Sequence, residues 1–211
     1  MIDLHTHSIF SDGVLIPSEL VRRAESAGLT GIGITDHGDS SNIDFIIPRI
    51  VAIAEELNSV LKIRVIPGIE ITHVPPPLFG ATVQKARELG AKIIIAHGET
   101  IAEPVAPGTN SAALDADIDV LAHPGLITED EVIKAKERGI FLEISARKGH
   151  SLTNGHVAGL AQKICAKTVI NTDAHEPGDL IDRNLAKRVA CGAGFTEADF
   201  EIMQKNASDF L

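Results

Sequence analysis

The amino-acid sequence predicts an α/β fold in which helices surround a parallel β-sheet. Short apolar runs rich in β-branched residues alternate along the chain with longer helical patterns, which is typical of repeated β–α units. Most of these runs are continuously apolar, as in Lys92–Ala96, which favours strands that are covered on both faces. With 211 residues and 44% hydrophobic residues, the chain suits one domain, residues 1–211, with a sizeable core.

Seven runs are predicted as strands and seven segments as helices. The predicted strands are Met1–Leu4, Gly31–Thr35, Ile63–Ile69, Lys92–Ala96, Ile118–Ala122, Ile140–Ile144 and Thr168–Thr172. The predicted helices are Pro17–Ala27, Ile43–Leu61, Ala81–Leu89, Thr128–Arg138, Thr153–Ala166, Leu180–Ala193 and Thr196–Asn206. Their alternation matches the helical crossovers that connect parallel strands.

Capping and breaking residues set the helix boundaries. Pro17 suits the first turn of the first helix, and Gly28 ends that helix. Pro48 predicts a kink in the second helix, while Thr128 followed by Glu131 is a capping-box pattern. The one long irregular segment is predicted over residues 98–112, and loops of that length are usually functional or mobile.

Composition and charge disfavour several classes of protein. A formal net charge of −10 argues against nonspecific capture of nucleic acid, and the lack of Trp and Tyr removes the usual stacking platforms for single strands. No apolar run approaches the roughly 20 residues that cross a bilayer, so we expect no membrane segment. The N-terminal residues lack a signal-peptide pattern, so we expect a cytoplasmic protein. Cys165 and Cys191 are expected to be small buried or partly buried thiols.

Ionisable side chains lie at or just beyond the C-terminal end of each predicted strand. These residues are His5, His7, Asp36, His37, Glu70, His97, His123, Glu143, Asp173 and His175. In a parallel barrel these ends share one face, where active sites are built. Imidazole and carboxylate groups are ligands for Zn²⁺, Mn²⁺ or Fe²⁺, and they are too many for a single ion. The sequence therefore predicts two or three divalent ions, a cluster that suits phosphate ester hydrolysis.

Five motifs in order along the chain resemble those of the polymerase and histidinol phosphatase (PHP) family. The motifs are His5-Thr6-His7-Ser8 with Ser11-Asp12-Gly13, then Thr35-Asp36-His37, Gly68-Ile69-Glu70, Ala122-His123-Pro124 and Thr172-Asp173-Ala174-His175. The resemblance implies a distorted seven-stranded (β/α)₇ barrel that carries a dinuclear or trinuclear metal site at the C-terminal ends of its strands.

The resemblance also implies a distribution of metal ligands. It places His5, His7, Glu70 and Asp173 on a first ion, and His97 and His123 with a bridging Glu70 on a second. It places Asp12, His37 and His175 on a third ion. Some relatives carry histidine where this chain has Asp12, so the third site is expected either to bind weakly or to prefer a harder ion.

Basic residues follow the sixth predicted strand and are expected to open on the same face. Arg147 and Lys148 are predicted to bind the substrate phosphate, with a solvated basic loop as the alternative. His150 is a candidate for substrate contact and for protonation of the leaving group, which requires a pKa near neutrality. The candidate catalytic residues are therefore Glu70, Asp173 and His150.

Three further polar residues are assigned roles outside the predicted set of metal ligands. Asp36 is expected to support the structure, because strand alternation points it away from His37. Glu143 is expected to orient a ligand histidine, with direct ligation or a paired acid inside the barrel as alternatives. His73 is equally compatible with substrate contact and with an ordinary surface position.

The predicted function is that of a phosphoric ester hydrolase. The first hypothesis is hydrolysis of a small phosphorylated metabolite, as in a histidinol phosphatase, by attack of a metal-bound hydroxide on phosphorus. The alternatives are a nuclease or exonuclease, and a noncatalytic, metal-stabilised binding module. Hydrolases of C–N bonds that use a similar metal-bearing barrel are a further alternative. Their usual bridging lysine has no candidate at a strand end of this chain. The exact substrate, the metal and the oligomeric state stay open at this point.

Overall fold

The computed structural model describes all 211 residues, from Met1 to Leu211. The strands are β1 (Ile2–Asp3), β2 (Gly31–Ile34), β3 (His37–Gly38), β4 (Arg64–Ile71), β5 (Ile93–His97), β6 (Val120–Ala122), β7 (Phe141–Ser145) and β8 (Thr168–Asn171). The helices are α1 (Pro17–Ser26), α2 (Ile43–Val60), α3 (Pro76–Glu88), α4 (Thr109–Asp115), α5 (Glu129–Arg138), α6 (Asn154–Ile164), α7 (Arg183–Gly192) and α8 (Glu197–Ala207). None of these helices combines the length and apolar character needed to cross a membrane.

All strands are parallel and follow the order β1-β2-β4-β5-β6-β7-β8, with the short β3 also paired to β4. The first and last strands approach each other just beyond their C-terminal ends. There Thr6 forms a parallel bridge with Ala174, and the His7 amide donates to the Ala174 carbonyl at 2.8 Å. The sheet is therefore nearly closed into a seven-stranded barrel, which confirms the predicted fold class.

Strand alternation separates two apolar layers and fixes the direction of the polar strand ends. In β5, Ile93 and Ile95 belong to a cluster of 10 buried residues drawn mainly from the strands. Ile94 and Ala96 belong instead to a cluster of 44 residues, which packs the helices against the sheet. The side chain of His97 lies two residues beyond Ile95 and therefore shares the inner face. Burial on both faces explains why this strand is continuously apolar.

The structure corrects several local predictions. Helix α3 begins at Pro76 rather than at Ala81, because prolines fit a first turn whose amides need no helical partner. Helix α2 agrees with its predicted range, since it runs through Pro48 and ends at Val60, one residue before Leu61. Part of the segment predicted to be irregular forms α4.

Cysteine burial was also predicted incorrectly, since both Cys165 and Cys191 are exposed. Cys165 caps the C-terminus of α6 in the left-handed conformation, with φ of 57°, and Cys191 lies on the outer side of α7. The capping box of α5 is confirmed. The Thr128 side chain accepts a hydrogen bond from the Glu131 amide, and the Glu131 side chain accepts one from the Thr128 amide.

Candidate metal centre

The nine predicted metal ligands converge at the C-terminal ends of the strands. They are His5, His7, Asp12, His37, Glu70, His97, His123, Asp173 and His175. Glu70, at the end of β4, lies in the middle of this group. Its Oε2 is 3.3 Å from His5 Nε2, and its Oε1 is 3.4 Å from His123 Nε2. The two oxygens of one carboxylate thus face two different groups of ligands.

Asp173 completes the group around His5 and His7. Its Oδ1 lies 3.1 Å from His7 Nε2 and 3.7 Å from His5 Nε2. Its Oδ2 lies 3.8 Å from His123 Nε2, so this carboxylate also spans two groups. Asp173 follows β8 and adopts a φ of 54°, which is uncommon for a residue with a side chain.

The third group lies at the more exposed side of the pocket. Asp12 Oδ1 is 3.1 Å from His175 Nε2 and 3.5 Å from His37 Nε2. The structure adds His7 to this group, since one ring nitrogen of His7 lies within 4.8 Å of the ligand atoms of the other three residues. Asp12 is 57% exposed at its side chain, in contrast to the buried His7.

A fourth arrangement joins His97, His123 and His150, whose candidate ligand atoms all lie within 4.8 Å of one another. The rings of His123 and His150 stack with their centroids 4.1 Å apart. The family resemblance implied two histidines, His97 and His123, at the second ion, and His150 lies beside them in the structure.

Unpartnered buried atoms indicate that these residues fit divalent ions. The buried polar atoms without a hydrogen-bond partner include His5 Nε2, both ring nitrogens of His7, both oxygens of Glu70 and Oδ1 of Asp173. Such atoms normally cost about 1–3 kcal/mol each when they are left unsatisfied. The ligand atoms lie mainly 3.1–3.8 Å apart. Two ligands of a tetrahedral ion at about 2.0–2.1 Å are separated by about 3.4 Å, so the spacing suits coordination.

The electrostatics of the buried groups also favour a cation. Burial alone raises the pKa of the Glu70 carboxyl, but the imidazoles of His5 and His37 outweigh burial and hold this pKa well below its ordinary value. Burial likewise disfavours a charged His5, yet the carboxylates of Glu70, Glu143 and Asp173 hold the pKa of His5 well above its ordinary value. The buried carboxylates therefore favour positive charge among them.

Residues behind the ligands hold them in place. Glu143 Oε2 lies 2.8 Å from His5 Nδ1 and also accepts from Asn171 Nδ2 at 2.9 Å. Asp36 accepts hydrogen bonds from the amides and hydroxyls of Ser8 and Ser11 at 2.8–3.0 Å, and so fixes the loop that carries Asp12. The predicted orienting role of Glu143 and the supporting role of Asp36 agree with these contacts.

The predicted substrate residues occupy different positions around the pocket. Arg147 and His150 line a wholly polar cavity of about 270 Å³ at the centre of the site. Arg147 Nη1 donates to the Asp173 carbonyl at 2.9 Å and lies 2.5 Å from His175 Nδ1. Lys148 lies at the rim, in a neighbouring depression that also contains Arg147.

His150 has a charge state that differs from the one expected of a general acid. Burial and the nearby His123 lower the pKa of His150 to about 3. Its Nδ1 lies 2.8 Å from Thr100 Oγ1, which fixes the ring. The lowered pKa favours the neutral imidazole and disfavours His150 as a proton donor, so its role in protonating the leaving group stays a prediction.

Glu103 is a residue of the site that sequence reasoning missed. Its carboxylate lies 3.2 Å from His97 Nε2, 3.3 Å from His73 Nε2 and 3.4 Å from His150 Nε2. The hydrogen bond from His97 is the largest influence on the Glu103 carboxyl and lowers its pKa to about 2. Glu103 lies in the loop predicted to be irregular, and the length of that loop was the one signal available.

The same loop is clasped at its base. Glu99 Oε1 accepts from the amides of Gly108 and Asn110, each at 2.9 Å, so Glu99 closes the loop rather than reaching the site. Gly125 packs against the Glu99 carbonyl with a φ of 65°, and a Cβ at this position would clash with that carbonyl. The clasp holds the intervening residues, including Glu103, over the pocket.

Known proteins resemble this chain in sequence. A model described as the PHP domain matches residues 3–103. Uncharacterized protein MJ1295 of Methanocaldococcus jannaschii is 48% identical over 201 residues, which cover 94% of this chain and 92% of that protein. A Clostridium botulinum protein named Probable phosphatase is 27% identical over 196 residues, covering 83% and 79% of the two chains. The 5′-3′ exoribonuclease Rnm of Salmonella typhimurium is 40% identical over 73 residues, which are 34% of this chain but 22% of that enzyme.

Solved structures share the fold. A chain in archaeal ribonuclease P bound to mature tRNA superposes with a TM-score of 0.72 at 18% identity, over 98% of this chain and 89% of that one. A Listeria monocytogenes protein provisionally named histidinol phosphatase hisK gives a TM-score of 0.59 at 12% identity, over 85% and 97% of the two chains.

The fold, the polar cluster and the relatives together define a metal-dependent hydrolase that acts on phosphate esters. The chain belongs to the PHP family, as the five motifs predicted.

Proposed function

We propose that this protein, as a single barrel domain spanning residues 1–211, hydrolyses the phosphate ester of a small metabolite, with histidinol phosphate as the first candidate. The observation that carries the proposal is the cavity of about 270 Å³, which is lined by ten residues, none of them hydrophobic. Such a cavity matches a phosphate group better than an apolar ligand, which would require apolar walls. Water supplies the new oxygen on phosphorus, and the products are an alcohol and inorganic phosphate.

Two or three Zn²⁺, Mn²⁺ or Fe²⁺ ions would be held by the three groups of ligands. The groups are His5, His7, Glu70 and Asp173, then Glu70, His97 and His123, then Asp12, His37 and His175. When bound, the ions would neutralise charge on the phosphoryl oxygens and lower the pKa of water. In this proposal Glu70 and Asp173 act by holding the reacting groups together, because each carboxylate faces two groups of ligands.

Arg147 is proposed to orient the phosphate. Its Nη1 is tied to the Asp173 carbonyl, which fixes the guanidinium at the edge of the cavity. Its Nη2 has no protein partner, so N–H donors remain for substrate oxygens. Lys148 at the rim would add positive charge along the approach, and His150 would contact the substrate as a neutral imidazole.

A nuclease is the second candidate, because 73 residues of this chain are 40% identical to a 5′-3′ exoribonuclease. The charge of the site favours the first candidate. Arg147 is the one lysine or arginine among the ten residues of the cavity, and the chain carries a formal net charge of −10. Tracking a nucleic-acid backbone normally requires a basic groove.

The test combines metal analysis with phosphate release. Purified protein would be assayed for bound metal, and then with Mn²⁺ or Zn²⁺ on histidinol phosphate, nucleotides, a phosphodiester and single-stranded RNA and DNA. We expect two or three ions per chain and turnover of a small monoester. Glu70→Gln should abolish turnover, while Glu137→Gln, on the exposed face of α5, should retain it.

Two other outcomes would overturn the proposal. Turnover of oligonucleotides without turnover of any small monoester would identify a nuclease. Full metal occupancy without turnover of any member of the panel would identify a noncatalytic module.

A further inference from the structure

Three residues at the mouth of the metal pocket form a further group of candidate ligands. His73, His97 and Glu103 offer ligand atoms that all lie within 4.8 Å of one another. Glu103 Oε2 is 3.2 Å from His97 Nε2 and 3.3 Å from His73 Nε2. Two ligands of a tetrahedral ion are separated by about 3.4 Å, and two histidines with one glutamate hold zinc at sites that keep a position for water. We call these three residues the outer group.

The position of the proton on His97 determines which of its nitrogens is available to an ion. His97 Nδ1 lies 3.2 Å from the Gly98 carbonyl oxygen, which only accepts hydrogen bonds. The neutral ring therefore carries its proton on Nδ1 and presents the lone pair of Nε2 to the Glu103 carboxylate. Two acceptors that face each other at 3.2 Å require a cation between them, either a second proton on His97 or a metal ion. His97 thus has one nitrogen for an ion and holds one ion at a time.

His97 also faces the buried part of the metal centre. Candidate ligand atoms of His97 and His123 lie within 4.8 Å of each other, and the two ring centroids are 4.5 Å apart. His123 Nε2 in turn lies 3.4 Å from Glu70 Oε1. An ion on His97 therefore has two alternative sets of partners. The outer set is His73 and Glu103. The inner set is His123 and Glu70.

Exposure to solvent separates the two sets. The side chains of His73 and Glu103 are 43% and 38% exposed, whereas those of His97, His123 and Glu70 are at most 2% exposed. A hydrated ion reaches the first two residues directly from solvent, but it must lose water to reach the buried ones. Since removing an ion from water is costly, exchange of its water for protein ligands one at a time divides that cost into smaller steps.

We propose that the outer group is an entry site for the divalent ions of the centre, where an ion binds Glu103 and His73 before His97 passes it to the buried ligands. Only coordination bonds change in this transfer, and the ion keeps its charge. The inference concerns metal loading, so it applies to any phosphate ester that the protein hydrolyses and equally to a noncatalytic module.

The rate of metal uptake tests the entry site. Protein depleted of metal with a chelator is mixed with Co²⁺, and the visible absorption of bound Co²⁺ is followed by stopped flow. Glu103→Gln removes the charged ligand, and His73→Asn removes an imidazole but keeps a residue that tolerates the φ of 53°. We expect each change to slow uptake by about tenfold or more, because even residues that only support a ligand are worth about 10–100-fold in metal affinity. Glu88→Gln, an exposed change on α3, is the matched control and should not alter the rate.

Equilibrium measurements distinguish an entry site from a permanent ligand. The final positions of the ions do not include Glu103 or His73, so both changes should leave the number of bound ions and their Kd unaltered. Because Kd is the ratio of the release and uptake rates, release to a chelator should slow by the same factor as uptake. Slower uptake with a raised Kd would identify Glu103 as a permanent ligand and overturn the entry site. Uptake at the unaltered rate in both variants would also overturn it, since ions would then enter by another route, such as the exposed Asp12.

Blocking the transfer provides a second test that does not depend on rates. His123→Asn removes the inner partner of His97, and Asn tolerates the positive φ at this position. An ion should then stay in the outer group, within about 2.1 Å of its ligand atoms, as located by the anomalous scattering of Zn²⁺ in crystals. Zn²⁺ on the remaining buried ligands without Zn²⁺ in the outer group would overturn the entry site.

The outcomes are separate from those of the proposed function. None of these measurements requires turnover, so a failed entry site leaves the phosphatase proposal standing. A protein that loads metal through the outer group but hydrolyses no ester supports the entry site alone. A protein that binds no divalent ion overturns both proposals.

Discussion

Glu143 Oε2 lies 2.8 Å from His5 Nδ1, and both side chains are fully buried inside the barrel. This contact directs the opposite ring nitrogen, His5 Nε2, toward Glu70 and Asp173. Asn171 donates to the same Glu143 oxygen and so fixes the carboxylate in turn. A carboxylate behind a histidine is a common way to set the orientation and basicity of a metal ligand.

Replacing Glu143 by glutamine should weaken metal binding without unfolding the barrel. Gln keeps the size of the side chain but removes the charge that holds the His5 ring. We expect metal affinity or activity to fall by about 10–100-fold, as for other carboxylates that support ligands. Metal titration followed by calorimetry measures the effect, with Glu137→Gln on the surface of α5 as the control. Unchanged affinity in Glu143→Gln would mean that the contact does not support a ligand.

Chelation of divalent ions should lower the melting temperature. The buried nitrogens of His7 and oxygens of Glu70 make no well-aligned hydrogen bonds, and bound ions would satisfy them only in the folded state. An ion present at 100 times its Kd stabilises the fold by about 2.7 kcal/mol, which corresponds to about 5–10 °C for a domain of this size. Differential scanning fluorimetry with and without EDTA measures the shift. Glu70→Gln should show a much smaller shift, and an equal one would contradict the assignment.

Arg147→Ala should raise KM for a phosphomonoester by about tenfold or more and leave the metal content intact. Arg147 lines the cavity and donates to the backbone carbonyl of Asp173, while its Nε lies 3.7 Å from the Asp173 carboxylate, too far for a hydrogen bond. Loss of a charged hydrogen bond to substrate costs about 1.5–3 kcal/mol. Steady-state kinetics and metal analysis on the same preparation separate the two effects. Lys148→Ala, at the rim, should have a smaller effect on KM, and equal loss of bound metal in Arg147→Ala would identify a structural role.

Arg87→Met should destabilise the fold away from the site. Arg87 Nη2 lies 2.7 Å from Asp119 Oδ2, which also accepts from the Ile94 amide at 2.7 Å. The change leaves the largely buried carboxylate without its cation, and we expect a loss of about 1–3 kcal/mol in the free energy of unfolding, measured by urea denaturation.

This loss should depend on pH in a defined direction. Burial raises the pKa of Asp119, so the folded state holds the proton more tightly than the unfolded state. Stability contributed by the protonated acid is therefore present at low pH and is lost as the pH rises through the unfolded and then the folded pKa. Without Arg87 the folded pKa rises further, so the destabilisation should be larger at about pH 7 than at about pH 4. A pH-independent loss would indicate that packing of the Arg87 side chain dominates.

The sequence determined the fold class and the elements that carry the ligands. Apolar runs predicted the ends of seven strands to within two residues, because burial on both faces requires continuous hydrophobicity, whereas the two-residue β3 is too short to give such a run. The family motifs predicted that Glu70, Asp173 and the motif histidines would meet, and the structure brings them together at the strand ends. Helix α3 was predicted to start too late because Pro76 reads as a breaker, although proline fits a first turn.

Only the tertiary structure decided which residues surround the ligands and how they are charged. Glu103 comes from a loop without periodicity, whose base is closed by the hydrogen bond from the Asn110 amide to Glu99, and it lies 3.2 Å from His97 Nε2. The low pKa of His150 arises from burial and from His123, which is distant in the sequence. A second cavity, of about 360 Å³, likewise forms where α2 and α3 meet. Local sequence patterns encode strands, caps and motifs, whereas charge states and cavities depend on groups that folding brings together from distant parts of the chain.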